Sequence, residues 1–161
     1  SAATEAATVE IMDEELFSYP FIYMTGHGNI AFSPEETVRL RHYLESGGFL
    51  HADDNYGMDE SFRREMARIF PKKRFVELPS DHGLFSCHFD FPDGLPKIHE
   101  HDGGRPQALG LFDGDRLVVL YTYEADLGDG WEDEAVHGND PDKRLAALRM
   151  GANILVWALT H

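Results

Sequence analysis

Two adjacent acids, Asp53 and Asp54, end a short apolar run at residues 49–52. Turn-forming residues follow them, and a helical pattern begins at Asp59. The sequence therefore predicts a strand that delivers two carboxylates to a tight turn in front of a helix. In open α/β sheets, ligands bind beyond the carboxyl ends of strands, so we expect a functional site at this turn.

Asp53 and Asp54 are the candidate catalytic groups. Adjacent carboxylates in a partly buried turn raise one another's pKa, so one can act as an acid and the other as a base. The alternative is that both make ordinary turn hydrogen bonds. Clustered carboxylates also need compensation, either from a bound cation, from a shared proton or from an arginine. The candidate arginines are Arg63, Arg64 and Arg105.

A second group of ligand-type residues lies at 99–102, with the sequence His-Glu-His-Asp. Imidazole with carboxylate suits zinc, manganese or iron, whereas carboxylates alone suit calcium or magnesium. The group lacks the helical spacing of known zinc motifs, so solvated loop residues are the alternative interpretation. If a divalent metal binds, its candidate ligands are Asp53, Asp54, His99 and His101.

Three predicted strands, at 21–25, 49–53 and 117–123, each end in a turn with polar residues. If these strands are parallel, their turns meet at one edge of the sheet. We expect the long loop at 79–105 to fold over that edge as a partial lid. The residues expected to line a ligand pocket there, beside the two aspartates, are His27, Asn55, Tyr56, Glu124, Asp126, Asp129 and Trp131.

The elements around these turns predict an α/β fold. Ser33-Pro34-Glu35-Glu36 is a strong helix start, and residues 59–70 have amphipathic helical spacing. Asp113-Gly114-Asp115 between two apolar runs predicts a hairpin. Helices that alternate with strands in the first half favour a mostly parallel sheet covered by helices, with the hairpin added.

A last helix is predicted from Asp140-Pro141 to the end of the sequence. Its apolar positions form a wide stripe, which is typical of a helix that packs on a core. We expect Leu148 and Leu155 to be nearly fully buried. The stripe consists of Leu145, Leu148, Ala152, Leu155, Val156 and Leu159.

The composition restricts the partners. A net charge of −15 over 161 residues argues against a nucleic-acid partner, which needs a basic surface. The acidity serves either solubility and salt adaptation or a cation-binding face. No apolar run approaches the roughly 18 residues of a membrane span. We expect residues 1–9 to be a flexible lead-in and 10–161 to form one domain.

The single cysteine, Cys87, cannot form an internal disulfide. A nearby histidine, His82 or His88, could activate it as a nucleophile. However, a histidine adjacent in sequence is rarely the one adjacent in space, so we favour a buried or incidental thiol.

Several segments together resemble the bacterial domain of unknown function family 4159. The likeness covers about residues 16–161, and members usually carry a further strand and helix ahead of this region, which this chain is expected to lack. The family's cell-envelope associations imply a periplasmic or envelope location. The segments are residues 21–28, 47–57, 62–66, 126–132 and 151–154.

The resemblance implies a flavodoxin-like, three-layer α/β sandwich similar to the class I glutamine amidotransferase superfamily. By that likeness, the position of the superfamily's nucleophilic cysteine falls at Asp53. The position of its catalytic histidine falls within residues 123–125, where there is no histidine. The resemblance therefore implies a fold and a site location, without glutaminase activity.

Three functions follow as hypotheses. The first is a ligand-binding domain of amidotransferase-like fold, with its pocket at the Asp53 edge and a small-molecule or protein partner. The second is a metal-dependent hydrolase that uses aspartate and histidine ligands. The third is a scaffold or interaction module of the cell envelope.

Overall fold

Five strands form one open sheet in the part of the chain that the structure, a computed structural model, describes: residues 6–99, 103–131 and 140–161. The strands are β1 (Ile22–Gly26), β2 (Leu50–Asp54), β3 (Val76–Glu77), β4 (Gln107–Asp113) and β5 (Arg116–Tyr123). The helices are α1 (Pro34–Glu45), α2 (Asp59–Ile69), α3 (Leu127–Trp131) and α4 (Pro141–Thr160), with 3-10 turns at Glu14–Ser18 and Gly83–Phe85. No helix within the described ranges is long and apolar enough to cross a membrane.

The sheet has the strand order β1-β2-β5-β4-β3 and is mixed. β1 pairs with β2, and β2 with β5, in parallel, so the three strands predicted to be neighbours are confirmed as such. β4 pairs with β5 and with β3 in antiparallel fashion. The prediction of a mostly parallel sheet is not confirmed, because the hairpin joins the sheet through β5 and β3 then extends the antiparallel half.

The helix α1 begins where the sequence predicts. The Ser33 hydroxyl accepts a hydrogen bond from the Glu36 amide at 3.1 Å, and the Glu36 carboxylate accepts one from the Ser33 amide at 2.9 Å. This reciprocal pair satisfies two amides at the start of the helix. After the helix, Gly47 takes a φ of 110°, which suits glycine and turns the chain back towards β2. The resulting strand–helix–strand crossover makes β1 and β2 parallel.

Alternate residues of β2 enter two hydrophobic cores, as the period of a strand requires. Leu50 and Ala52 pack in one core with side chains of α1 and α2. Phe49 packs in the other with side chains of α4. Helices therefore cover both faces of the sheet, and the functional groups at the strand ends lie between two packed layers.

The helix α4 uses a narrower face than predicted. Ala147, Met150 and Ile154 are buried, whereas Leu148 is 39% exposed and Leu155 is 43% exposed. The prediction that these two leucines are nearly fully buried is therefore wrong. At 100° per residue, the apolar stripe is wider than the contact with the sheet, and its leucines lie on the flank of that contact.

Candidate functional site at the carboxyl edge of the sheet

The ends of β1, β2 and β5 lie at one edge of the sheet because the three strands are parallel. The chain leaves this edge through an unusual backbone. Tyr56, Glu124 and Asp126 have positive φ angles of 71°, 61° and 51°, and they are the only non-glycine residues with positive φ in the described ranges. Such conformations are costly for side chains with a Cβ and concentrate at functional sites.

Asp53 is fully buried at the centre of this edge, at 0% exposure. Its Oδ1 accepts hydrogen bonds from the Thr122 hydroxyl at 2.6 Å and from the Leu127 amide at 3.2 Å. Its Oδ2 accepts from the Gly128 amide at 2.8 Å and, at a longer 3.4 Å, from the Tyr23 hydroxyl. Asp53 therefore fixes the start of α3, in a segment that the sequence predicts as a loop.

Burial raises the pKa of Asp53 to about 7. The hydrogen bonds from Thr122, Gly128 and Leu127 oppose that rise, and the negative charge of Asp126 adds to it. Asp53 can therefore gain or lose a proton near neutrality although no solvent reaches it. The groups that donate hydrogen bonds to Asp53 are all neutral, which suits an acid that holds the surrounding fold in place.

A buried histidine extends the Asp53 network. His51 is 0% exposed, and its Nε2 lies 2.9 Å from the Thr122 hydroxyl oxygen. Since threonine has one hydroxyl proton and gives it to Asp53, the His51 Nε2 carries a proton and donates it to Thr122. The other ring nitrogen, Nδ1, has no hydrogen-bond partner among the described residues. Burial lowers the pKa of His51 to about 3, so its ring is neutral.

Sequence reasoning missed His51 and Thr122. Both lie inside strands, where an apolar pattern surrounds them and nothing marks a site. The available signal was a histidine two residues before Asp53, since both then point to the same face of the strand. The partner Thr122 becomes visible only from the parallel register, which places it opposite Asp53.

Three ligand-type side chains converge beside this network, and we call them the His99 cluster: His99, Asp126 and Asp129. The Nδ1 of His99 lies 2.9 Å from an Asp129 oxygen and 3.6 Å from an Asp126 oxygen. One ligand atom from each residue falls within 4.8 Å of the others. Both aspartates are buried, and the His99 side chain is 49% exposed. The His99 cluster thus has a protein-facing acidic side and a solvent-facing imidazole.

Asn55 connects the His99 cluster to a second histidine. The hydrogen-bonding pattern orients its amide so that Nδ2 donates to the Asp126 oxygens at 3.1 and 3.2 Å. The amide oxygen then accepts from the His27 Nε2 at 3.2 Å. His27 is exposed, so the chain from His27 through Asn55 to Asp126 runs from solvent into the buried acids.

An ion pair closes the other side of the edge. Glu124 is 6% exposed, and its Oε2 lies 3.6 Å from the Lys97 ammonium. Lys97 also donates to the Gly104 carbonyl oxygen. Lys97 is thus a cation near the acidic edge that the sequence analysis did not identify, because it lies in a long loop without any motif.

Comparison with known proteins identifies the family of this chain. The family model described as Domain of unknown function (DUF4159) matches residues 1–159. The chain belongs to this family. No curated protein matches the chain significantly. The family's description assigns no chemistry, so the function of this DUF4159 domain has to be argued from the geometry of the sheet edge.

The remaining predicted residues have defined positions in the DUF4159 domain. Asp54 is buried, and its Oδ1 accepts from the Tyr56 amide at 3.1 Å, as in an Asx turn. Tyr56 itself is 52% exposed at the rim of the edge. Neither belongs to the His99 cluster. His101 lies outside the described residues, and the catalytic and metal roles of Asp53 and Asp54 stay predictions.

Trp131 lies on the inner side of α3. Its ring packs at 5.1 Å from the Tyr23 ring and at 5.8 Å from the His51 ring. Its Nε1 donates to the Ala147 carbonyl oxygen at 2.7 Å. These contacts tie α3 to α4 and enclose His51, so Trp131 serves the packing behind the edge.

The three arginines proposed as compensating charges have other partners. Arg63 pairs with Asp59, at 2.7 Å. Arg64 donates to the Ile30 carbonyl oxygen at 2.8 Å and to the Asn29 side chain at 3.1 Å, and Arg105 pairs with the Glu77 carboxylate. Within the described residues, Lys97, paired with Glu124, is a cation that lies at this edge.

Cys87 contacts the helix α4 instead of the groups at this edge. Its thiol donates to the Asn153 carbonyl oxygen of α4, at 3.3 Å, and burial raises its pKa. A raised pKa keeps the thiol protonated and a poor nucleophile. The Asn153 side chain also donates to the carbonyl oxygens of Leu84 and Phe89, so this contact anchors the long loop to α4.

Proposed function

We propose that this domain binds a divalent cation through His99, Asp126 and Asp129 and uses it to hold a small ligand at the sheet edge. The observation that carries the proposal is the convergence of one imidazole nitrogen and two buried carboxylates within 4.8 Å. Two buried carboxylates side by side repel one another, and burial makes each charge costly. A cation removes both penalties.

The donor set indicates the class of metal. One nitrogen and two carboxylate ligands suit zinc, manganese or ferrous iron better than calcium or magnesium, which prefer oxygen alone. Asn55 donates to Asp126, and such a bond to a coordinating carboxylate would hold it in place. The partial exposure of His99 leaves a side of the cation open to solvent or to a ligand.

The ligand would enter from the rim. Three protein ligands leave coordination positions for water or for an oxygen atom of a bound molecule. His27 and Tyr56 are exposed at that rim and offer an imidazole and a phenol to the same molecule. A small carboxylate or another oxygen-rich molecule fits these donors best.

The wider fold supports the location of this site. We propose that the domain is a flavodoxin-like, three-layer sandwich related to the class I glutamine amidotransferases. Support comes from helices on both faces of the sheet and from Asp53 at the end of β2, where the superfamily's nucleophile would lie. With an acid at that position and no histidine within residues 123–125, glutamine hydrolysis is not part of the proposal.

Titration of the metal-free protein with Zn²⁺ and with Mn²⁺ tests the cation site. Isothermal calorimetry should give one site per chain, and the metal should raise the melting temperature through linkage. Asp129→Asn and His99→Gln should lose both effects. Asp115→Asn, at an exposed hairpin position, is the matched control and should keep them. Binding that is unchanged in Asp129→Asn would overturn the proposal.

A metal-dependent hydrolase is the second candidate, and the position of His27 favours it. Its Nε2 donates to the Asn55 amide oxygen, so Nδ1 is the nitrogen that would take a proton from water held near the cation. A panel of nitrophenyl esters and phosphates with Zn²⁺ or Mn²⁺ tests this role. His27→Gln should lower the rate about 100-fold or more while metal affinity stays the same. If the wild-type protein hydrolyses none of these substrates, the hydrolase proposal is wrong and only the binding proposal stands.

A further inference from the structure

One flank of α4 is apolar and uncovered among the described residues. We call it the leucine seam. Its four leucines are 45%, 39%, 43% and 54% exposed in chain order, although the neighbouring face of the same helix is buried in the core. The leucine seam consists of Leu145, Leu148, Ala152, Leu155 and Leu159.

The spacing of the leucine seam is that of a helix–helix contact. Successive positions are three, four, three and four residues apart. Positions with this alternation lie along one stripe of the helix, so the leucine seam can meet another helix along its whole length. The positions of α4 that reach the core are others, Ala147, Met150 and Ile154, so the leucine seam is a second apolar stripe beside the buried one.

The leucine seam is also nearly symmetric about its small central residue. Leu145 and Leu159 lie seven residues before and after Ala152. Leu148 lies four residues before it and Leu155 three after it. A sequence with this symmetry can pair with an antiparallel copy of itself, and the small alanine allows the two helices to approach closely at the centre.

We infer that α4 of one copy packs antiparallel against α4 of a second copy, with the two Ala152 residues facing each other at a two-fold axis. Leu145 then packs against the partner's Leu159, and Leu148 against the partner's Leu155. Such an interface is isologous, because the same patch serves on both sides, and this is the commonest symmetry of soluble dimers.

Charge favours the antiparallel arrangement over the parallel one. All four charged side chains of α4 lie in its N-terminal half: Asp142, Lys143, Arg144 and Arg149. Residues 150–160 carry no charged side chain. Antiparallel pairing places the cationic half of each helix beside the neutral C-terminal half of the other, where the helix dipole is negative. Parallel pairing would place Arg144 near its own copy.

The expected dimer is weak and strengthened by salt. A single pair of helices covers less than the roughly 800 Å² per partner of a standard interface. Two chains of net charge −15 also repel each other. Added salt shortens the range of that repulsion, to about 8 Å at 0.15 M, and leaves the contact between leucines intact.

Sedimentation equilibrium of the full chain tests the inference. The mass should rise from 18.2 kDa towards twice that value with concentration, and further with added salt. The double variant Leu148→Glu, Leu155→Glu should stay monomeric, with an unchanged circular dichroism spectrum because both side chains are exposed. Met12→Glu with Val38→Glu adds the same charge at exposed apolar positions elsewhere and should still dimerise. A monomeric wild type, or a dimer that survives the seam variant, would overturn the inference.

Cysteine cross-linking in a Cys87→Ser background tests the orientation. Ala152→Cys should form a disulfide-linked dimer under mild oxidation. Leu145→Cys alone should not, since antiparallel copies of residue 145 would be about 20 Å apart at 1.5 Å per residue, far beyond disulfide reach. A mixture of Leu145→Cys and Leu159→Cys chains should cross-link between the two. Efficient self-linking of Leu145→Cys would contradict the antiparallel pairing.

Discussion

Asp53 and Asp126 lie at the same sheet edge and are both withdrawn from solvent, at 0% and 1% exposure. Their partners differ in kind. Asp53 accepts bonds from a hydroxyl and two amides, with a long contact to a phenol, all of them neutral groups. Asp126 accepts from the neutral Asn55 amide, but it also has an imidazole and a second acid as neighbours. The same residue type, equally buried, thus accepts hydrogen bonds from fixed neutral groups in one case and faces other ligand-type side chains in the other.

The comparison shows that burial alone does not identify a binding acid. A carboxylate surrounded by fixed neutral donors gains nothing from a cation and holds its surroundings in place. A carboxylate beside another carboxylate and a histidine gains from a cation, because a positive charge offsets the repulsion between the two acids. Both acids stand out in the sequence, and Asp53 is the more conspicuous of the two.

The largest effect on the free energy of unfolding should come from replacing each acid in turn by alanine. Asp53→Ala leaves the Leu127 and Gly128 amides without an acceptor and leaves the Thr122 hydroxyl with only the Ala52 carbonyl oxygen, at 3.4 Å. At about 1–3 kcal/mol for each buried unsatisfied amide, the free energy of unfolding should fall by about 2–6 kcal/mol. Asp126→Ala should cost clearly less in the presence of a chelator. Urea denaturation of both variants measures the difference, and equal losses would break the comparison.

The pH dependence of stability is the second test, because the two buried groups shift in opposite directions. The folded protein raises the pKa of Asp53 from 3.8 to about 7, so the folded state binds more protons than the unfolded chain in that window. The Asp53 contribution therefore falls as pH rises from about 4 to 7. For His51 the folded pKa is lowered to about 3, so its contribution rises from about pH 3 to 6.5.

Between pH 4 and 6.5 the two slopes oppose each other in the wild type. Each slope approaches about 1.4 kcal/mol per pH unit when one full proton is involved. Asp53→Asn should therefore leave a stability that rises with pH, and His51→Gln one that falls. Urea titrations at pH 4.5, 5.5 and 6.5 give the slopes even if the variants are less stable. Identical slopes in the two variants would show that neither group titrates as its burial requires.

Much of the fold follows from local signals in the sequence. The capping box at Ser33 and the glycine turn at Gly47 predict α1, and the strand–helix–strand order then predicts that β1 and β2 are parallel. The turn at Asp113-Gly114-Asp115 predicts the hairpin. From these elements alone, the acids at the ends of β2 and β5 could be placed at one edge.

The details of the site depend on contacts between distant parts of the chain, which no local pattern contains. Thr122 lies 69 positions after Asp53 in the sequence and reaches it only through the parallel register of β2 and β5. His99 enters from a long loop without regular structure. The start of α3 depends on Asp53 as its acceptor, so glycine-rich residues form a helix where their own propensity favours a loop.

The apolar stripe of α4 shows the same limit. The pattern of leucines predicts an apolar helix face correctly, but it cannot state which apolar positions contact the sheet. Met150 and Ile154 lie in the core, whereas Leu148 and Leu155 lie beside it. Periodicity gives the angle between positions and says nothing of which neighbour each position meets.

The smallest effect, and the sharpest comparison, comes from the conservative change of aspartate to asparagine at two acids. Asp53→Asn turns an amide NH₂ towards groups that are themselves donors, so it should cost about 1–3 kcal/mol. Asp129→Asn removes one of two adjacent negative charges but also weakens the contact with His99. Because His99 is half exposed, that contact is worth little, and the two effects should cancel to within about 1 kcal/mol.

The change in stability on adding metal then distinguishes the roles of the two acids. In a chelator, Asp129→Asn should unfold at nearly the wild-type urea concentration, and Asp53→Asn at a lower one. With zinc at 100 times its dissociation constant, the wild type should gain about 2.7 kcal/mol, and Asp129→Asn should gain nothing. Asp53→Asn should still gain if it folds, because the zinc ligands in this proposal do not include Asp53. A loss above about 2 kcal/mol for Asp129→Asn in chelator would instead place Asp129 with Asp53, as an acid that its neighbours need for packing and not for a cation.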